Sequence, residues 1–143
     1  MSNRVFAAYS VGLNRAEMAK HCPTAKPIGS TELKNFRLAF HGGNACAVAT
    51  IEKSKGSSVP ALLWEVPLQD EASLDRWIGV PDLYRKDTVK VRLNGAAMEA
   101  LVYILIGHKP PNKPSAFYYS TLLEGYKAAG FDKETLKTAT MRV

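Results

Sequence analysis

The chain predicts a mixed α+β domain in which strands outnumber helices, and three features carry that prediction. The dipeptide Asn94-Gly95 separates two alternating runs, Lys86–Leu93 and Ala97–Ile106. Asn-Gly tolerates the positive φ of a type I′ turn, so these runs form a hairpin. Val59–Val66 runs apolar apart from Glu65, as a strand buried on both faces would. Near the C-terminus, Tyr119, Leu122, Leu123 and Tyr126 fall on one helical stripe within Ser115–Ala129, with Gly130 as the C′ residue.

The remaining elements follow in order. Val5–Tyr9 is a first strand, followed by the loop Ser10–Leu13 and a short helix capped by Asn14 and ended by Pro23. Pro27–Leu33 and Phe36–Phe40 are strands, and the turn-rich His41-Gly42-Gly43-Asn44 leads to a strand at Ala47–Ile51. Lys53–Ser58 is a polar turn before Val59–Val66. Asp70 is placed to cap a helix whose Leu74, Trp77 and Ile78 share one face. Lys109–Pro114 is a proline-rich loop, and Asp132 caps a last short helix through Leu136. The sum is about seven strands and four short helices, with no repeat or linker, so residues 1–143 are expected to form one domain.

Composition narrows the function. With 46% apolar and 22% charged residues, the chain has the make-up of an ordinary globular domain. At 143 residues it can bury roughly 70% of its unfolded surface, so neither metal nor disulfide is needed for stability. Cys22 and Cys46 are far apart, without CxxC spacing, and are read as reduced, Cys22 as buried filler. The longest apolar run, Leu101–Ile106, falls far short of the roughly 20 residues that span a bilayer, and a cytoplasmic location is the default expectation.

A net charge of +6 raises the question of nucleic acid, but the lysines are dispersed and no recognised nucleic-acid motif contains them. On the first hairpin strand, Lys86, Thr88, Lys90 and Arg92 alternate with Asp87, Val89, Val91 and Leu93, so the bases form its wet face. No nucleic-acid polymer is expected, while a small anionic ligand fits the charge. His41 and His108 lie in polar loops at no metal-binding spacing. No metal or cofactor is expected.

Several segments, taken in order, carry a resemblance. They are Phe6-Ala7-Ala8-Tyr9 and the loop ending Leu13-Asn14; Cys22-Pro23-Thr24-Ala25; Leu33-Lys34-Asn35-Phe36-Arg37-Leu38; Ala47-Val48-Ala49-Thr50-Ile51; and Leu62-Leu63-Trp64-Glu65-Val66. Leu74-Asp75-Arg76-Trp77-Ile78-Gly79 follows, with Tyr84 after it, then Val102-Tyr103-Ile104 and Glu124-Gly125-Tyr126. Together these resemble the γ-glutamylcyclotransferase family and its plant AIG2-like relatives. The resemblance implies a small mixed β-barrel flanked by short helices.

It also implies a site. In the family, the loop Tyr-Gly-Ser-Asn-Leu cradles the α-carboxylate of a glutamyl group with its backbone amides, and a Glu moves the proton as the glutamyl amine attacks its own side-chain carbonyl, releasing 5-oxoproline. The matching loop here is Tyr9-Ser10-Val11-Gly12-Leu13, where Ser10, Val11 and Gly12 depart from the pattern; Gly12 is expected to supply a positive φ on a rerouted path. Ile78 stands at the position of the Glu. Loss of general acid/base catalysis is worth about 10²–10⁴ in rate. Asp82 is the best substitute carboxylate, because Glu65 and Asp75 have counterparts in active relatives and Glu71 only begins the helix.

The expected function is therefore binding without catalysis. Tyr9, Ser10, Val11, Gly12, Leu13, Ile78, Tyr84, Tyr103 and Tyr118 would hold a small anionic metabolite or nucleotide-derived signal, sequestering it as an anti-defence sponge would. The alternative is a divergent γ-glutamylcyclotransferase releasing 5-oxoproline from γ-glutamyl amines. A pure protein-interaction domain is disfavoured, since nothing marks an exposed apolar patch. A homo-oligomer is left open.

Overall fold

The computed structural model describes residues 3–143. Strand β1 (Arg4–Ala8) leads through a 3-10 turn (Val11–Leu13) into helix α1 (Arg15–His21), then the long strands β2 (Lys26–His41) and β3 (Val48–Val66). Helix α2 (Leu68–Ile78), the hairpin β4 (Tyr84–Leu93) and β5 (Ala96–Leu105), and helices α3 (Ala116–Ala129) and α4 (Glu134–Met141) complete the chain.

The five strands form one sheet in the order β2-β3-β1-β5-β4. β1 runs antiparallel to β3, with Phe6 opposite Trp64, and parallel to β5, with Phe6 opposite Leu101. The mixed α+β class stands, but the sheet is not closed into a barrel. Its edges β2 and β4 meet only through side chains: Thr31 Oγ1 donates to the Arg92 carbonyl at 2.8 Å, and Leu93 packs against Gly29.

Two mergers reduce the expected seven strands to five. Pro27–Leu33 and Phe36–Phe40 join in β2, where Asn35 (φ 66°) absorbs the irregularity between them. Across from it, residues 54–57 bulge out between the pairs Lys34–Ser58 and Phe36–Lys53, so Lys53–Ser58 is a strand interruption and not a connecting turn. The Gly56 amide donates to Asn35 Oδ1 at 3.1 Å, tying the two irregularities together. Val59–Val66 lies mid-sheet and is buried except at Glu65, as a strand flanked on both sides requires.

The helix ends show which local signals held. Asn14 Oδ1 accepts from the Glu17 amide at 3.1 Å, and Ser115 Oγ does the same for Tyr118. Gly130 (φ 75°) closes α3, and Asn94 (φ 51°) with Gly95 (φ 83°) turns the hairpin. Asp70 is not a cap: α2 starts after Pro67, and the buried Asp70 carboxylate accepts from Thr24 N at 3.0 Å and Thr24 Oγ1 at 2.6 Å. It clamps α2 to the segment after α1. Asp132 Oδ1 accepts from the Glu134 amide at 2.9 Å, and the last helix runs on past Leu136 to Met141.

Leu63, Leu74, Leu101, Leu122, Tyr126 and Leu136 anchor one contiguous core between the sheet and the helices. Cys22 is buried there, whereas Cys46 is exposed. Burial, with Asp70 nearby, pushes the Cys22 thiol up to about 11, so it stays protonated and inert at neutral pH.

Tyr126 is the exception in this core. Its ring packs edge-on to Phe131 at 5.7 Å, but its buried hydroxyl has no hydrogen-bond partner among the described residues. An unsatisfied buried hydroxyl costs about 1–3 kcal/mol. Tyr126→Phe is therefore expected to stabilise the fold by about 1 kcal/mol, raising the Tm by roughly 2–4 °C in a thermal melt. A fall in Tm would show that the hydroxyl has a partner in solution.

Candidate functional site

The 3-10 turn is held from three sides. Trp64 Nε1 donates to the Gly12 carbonyl at 3.0 Å, and Asn14 Nδ2 donates to Glu124 Oε1 at 2.8 Å and to the Thr121 carbonyl at 3.2 Å. Gly12 lies outside the left-handed region, contrary to the expectation from its sequence context. A Cβ there would stand 2.9 Å from both Ala8 Cβ and the Phe6 ring, so it is glycine because the turn is pressed onto β1. Leu13 is fully buried in the core.

Beside this turn a cavity of about 340 Å³ opens between the end of β1, the C-terminal end of α2, the β4–β5 hairpin and the first turns of α3. Seven of the expected site residues line it: Tyr9, Ser10, Val11, Ile78, Tyr84, Tyr103 and Tyr118. Gly12 and Leu13 do not; they are the buried support beneath. Asp82 is exposed on the turn after α2 and is not part of the wall. Neither Glu65 nor Glu71 reaches the cavity; Glu71 instead binds Lys86 Nζ at 2.8 Å.

Helix geometry explains why Ile78 faces inward. Leu74 is buried beneath it and Trp77 is half-buried beside it, its indole stacked on the His21 ring at 4.3 Å. Gly79 (φ 113°) then stops the helix, and Tyr84 N bonds back to the Gly79 carbonyl at 3.0 Å. Ile78 and Tyr84 are thereby placed on the same wall.

The phenol hydroxyls are mostly committed to the protein. Tyr9 donates to the Tyr103 carbonyl at 2.6 Å, Tyr84 to the Ala49 carbonyl at 2.6 Å, and Tyr103 to Asp75 Oδ1 at 2.7 Å. Tyr118 Oη accepts from the Ala49 amide at 3.0 Å. Burial raises all four phenols above the ordinary tyrosine value, with the Asp75 carboxylate adding to the rise at Tyr103. They are neutral at any physiological pH. Asp75 is itself held by Lys86 Nζ at 2.7 Å, behind the wall.

Sequence reasoning missed Phe6, Glu17, Val48, Trp77, Leu83, Phe117 and Thr121 as lining residues. Glu17 shows in sequence only as the residue three after the Asn14 cap, with nothing to place it at a cavity. Phe117, 84% exposed, stands at the rim one residue before Tyr118. Glu17 carries the only formal charge in the lining, and no Lys or Arg is among it.

A second cavity, of about 380 Å³, contains none of the expected residues. Its carboxylates are already paired, Glu52 with Arg37 at 2.6 Å and Asp87 with Arg85 at 2.9 Å. At its edge His41 is half-buried, not a free loop side chain: its Nδ1 lies 3.0 Å from the Lys109 carbonyl and its Nε2 3.4 Å from Glu52. Among the described residues, no group of three or more His, Cys, Asp or Glu is placed to hold a metal ion. None of their helices is long and apolar enough to cross a membrane.

Residues 58–137, more than half of the chain, match the AIG2-like family. The chain belongs to the AIG2-like family. The matched segment runs from the second half of β3 through α2, the hairpin and α3, and so includes Ile78, Tyr84, Tyr103 and Tyr118.

Solved structures share the family fold over nearly all of the chain. A γ-glutamyl cyclotransferase superposes with a TM-score of 0.83 at 23% identity, covering 96% of this chain and 86% of that one. An uncharacterized protein from Homo sapiens gives 0.82 at 23%, covering 97% and 87%. YkqA from Bacillus subtilis gives 0.83 at 17%, covering 99% of this chain and 54% of its own length. Identities this low establish the fold and leave the reaction to the site. No curated protein sequence matches the chain.

Proposed function

We propose that this protein binds a small molecule in the cavity beside the 3-10 turn and does not turn it over. The observation that carries the reading is Ile78 in the cavity wall, at the position where the resemblance to γ-glutamylcyclotransferases puts the acid/base Glu. Cyclotransfer needs a group that takes a proton from the ammonium and delivers it to the leaving nitrogen. Ile78 has no such proton. The four phenols are held neutral and cannot act as the base, and Asp75 is committed to Tyr103 and Lys86.

The remaining chemistry suits retention. A cavity of about 340 Å³ is within the range of small-molecule sites, and half of its lining residues are aromatic. In its finer form the proposal is sequestration: a metabolite held tightly and released unchanged.

A second reading, a divergent γ-glutamylcyclotransferase, is favoured by the shared fold and by one observation, the Glu17 carboxylate in the lining. The two separate in a single assay. Incubated with γ-glutamyl amines and γ-glutamyl dipeptides, the protein is expected to form 5-oxoproline at no more than about 10⁻²–10⁻⁴ of the rate of a γ-glutamylcyclotransferase with its Glu in place. Brisk turnover abolished by Glu17→Gln would establish the second reading instead.

A further inference from the structure

Although the chain is basic as a whole, the cavity is not. Its lining includes seven aromatic rings, those of Phe6, Tyr9, Trp77, Tyr84, Tyr103, Phe117 and Tyr118, and a single formal charge, the Glu17 carboxylate. Glu17 Oε2 is 3.0 Å from Lys20 Nζ, a partner whose side chain is largely exposed and can swing away. Lys86 and Arg4 are engaged with other carboxylates: Lys86 binds Glu71 and Asp75, and Arg4 lies 3.6 Å from Glu71.

Four of the six lining hydroxyls point to the same ligand chemistry; the other two are Ser10 and Tyr118, whose Oη accepts from the Ala49 amide. Those of Tyr9, Tyr84 and Tyr103 give their protons to protein acceptors, and Thr121 Oγ1 gives its own to the Phe117 carbonyl at 3.0 Å. A hydroxyl that has donated offers a ligand only lone pairs. Lone pairs, aromatic faces and a carboxylate are together the surroundings that stabilise a cation bearing N–H donors.

Building on the binding reading above, we infer that the cavity recognises a small molecule carrying a protonated amine, with Glu17 pairing the ammonium and the aromatic walls packing its apolar body. Glu17 is well placed for this because its backbone amide is fixed by Asn14 while its side chain reaches the cavity. Lys20 acts as the stand-in cation that the ligand displaces.

The test uses two probes with the same ring and opposite charge, tryptamine and indole-3-propionate, titrated calorimetrically into the full chain. Tryptamine is expected to bind at least about tenfold more tightly, and Glu17→Gln to weaken it by roughly ten- to a hundredfold, the worth of a charge-assisted hydrogen bond. Lys20→Met, at a residue outside the lining whose one contact with it is the ion pair to Glu17, is expected to tighten tryptamine binding by removing the competing cation. The inference is overturned if indole-3-propionate binds as well as tryptamine, if neither binds at millimolar concentration, or if Glu17→Gln leaves tryptamine affinity unchanged. Formation of 5-oxoproline, read separately, would overturn the binding-only reading and leave this charge preference standing.

Discussion

Replacing Gly125 with alanine is expected to destabilise the protein by about 1–3 kcal/mol, a fall in Tm of roughly 5–10 °C, and to spoil the cavity as well. A Cβ at this position would lie 2.6 Å from Leu13 Cβ, 2.8 Å from the Leu13 carbonyl carbon and 3.0 Å from Asn14 N. Two of those three atoms are backbone, and the turn that bears them is held from the far side by Trp64, so helix α3 must shift and strain its own bonds to Asn14. That helix carries Phe117, Tyr118 and Thr121 into the cavity lining. Gly43→Ala is the control, since nothing lies within 4 Å of its Cβ, and it is expected to change the Tm by little. A Gly125→Ala protein as stable as the parent would mean that α3 does not rest on the turn as described.

The second large effect is a steep loss of stability at alkaline pH. Burial raises the Tyr9, Tyr84, Tyr103 and Tyr126 phenols far above the ordinary tyrosine value of 10.0, so the folded chain holds these protons more tightly than the unfolded chain does. Below about pH 10 both states keep them and stability is flat with respect to these groups. Above it, only the unfolded chain ionises, and each phenol removes roughly 1.4 kcal/mol per pH unit, about 5 kcal/mol per unit for the four. Cys22 adds a smaller loss, beginning at the ordinary thiol value of 9.0 and complete near its folded value of about 11. A domain of ordinary stability, about 5–15 kcal/mol, is thus expected to unfold cooperatively between pH 11 and 13. Phenolate absorbance at 295 nm should rise together with loss of far-ultraviolet dichroism. Tyrosines titrating smoothly while the dichroism stays native would contradict the burial described for them.

How far the sequence led depended on the range of the interaction. Asn14, Gly130 and Asn94-Gly95 act through their own neighbours, and each does in the structure what its local chemistry predicts; Ser115, expected as the first helical residue, is instead the cap of α3. Lys53–Ser58 misleads because it is polar and contains glycine, as a turn would; what makes it a bulge in one long strand is Asn35, some twenty residues away. Asp70 has the spacing of a cap, but its partner is Thr24 across the packed helices.

The site divides along the same line. Tyr9, Ser10, Ile78, Tyr84, Tyr103 and Tyr118 were reachable because the family resemblance orders them, and they do converge on one cavity. Glu17 and Phe117 enter it only because α1 and α3 both pack against the same 3-10 turn, a fact no local pattern encodes. The anionic ligand expected from the sequence rests on the net charge, whereas the amine proposed above rests on Glu17. A net +6 is a property of the whole surface, whereas the lining of one cavity is set by the few side chains that packing turns inward.

The central claim is that this cavity holds a small molecule without consuming it. The most direct measurement is to incubate the purified protein with a metabolite extract, wash it, release bound compounds by heat, and compare them with the input by mass spectrometry. The account predicts a compound retained in near-stoichiometric amount, chemically unchanged, lost from an Ile78→Arg variant that keeps its fold, and no accumulation of 5-oxoproline. Accumulating 5-oxoproline with nothing retained would contradict it.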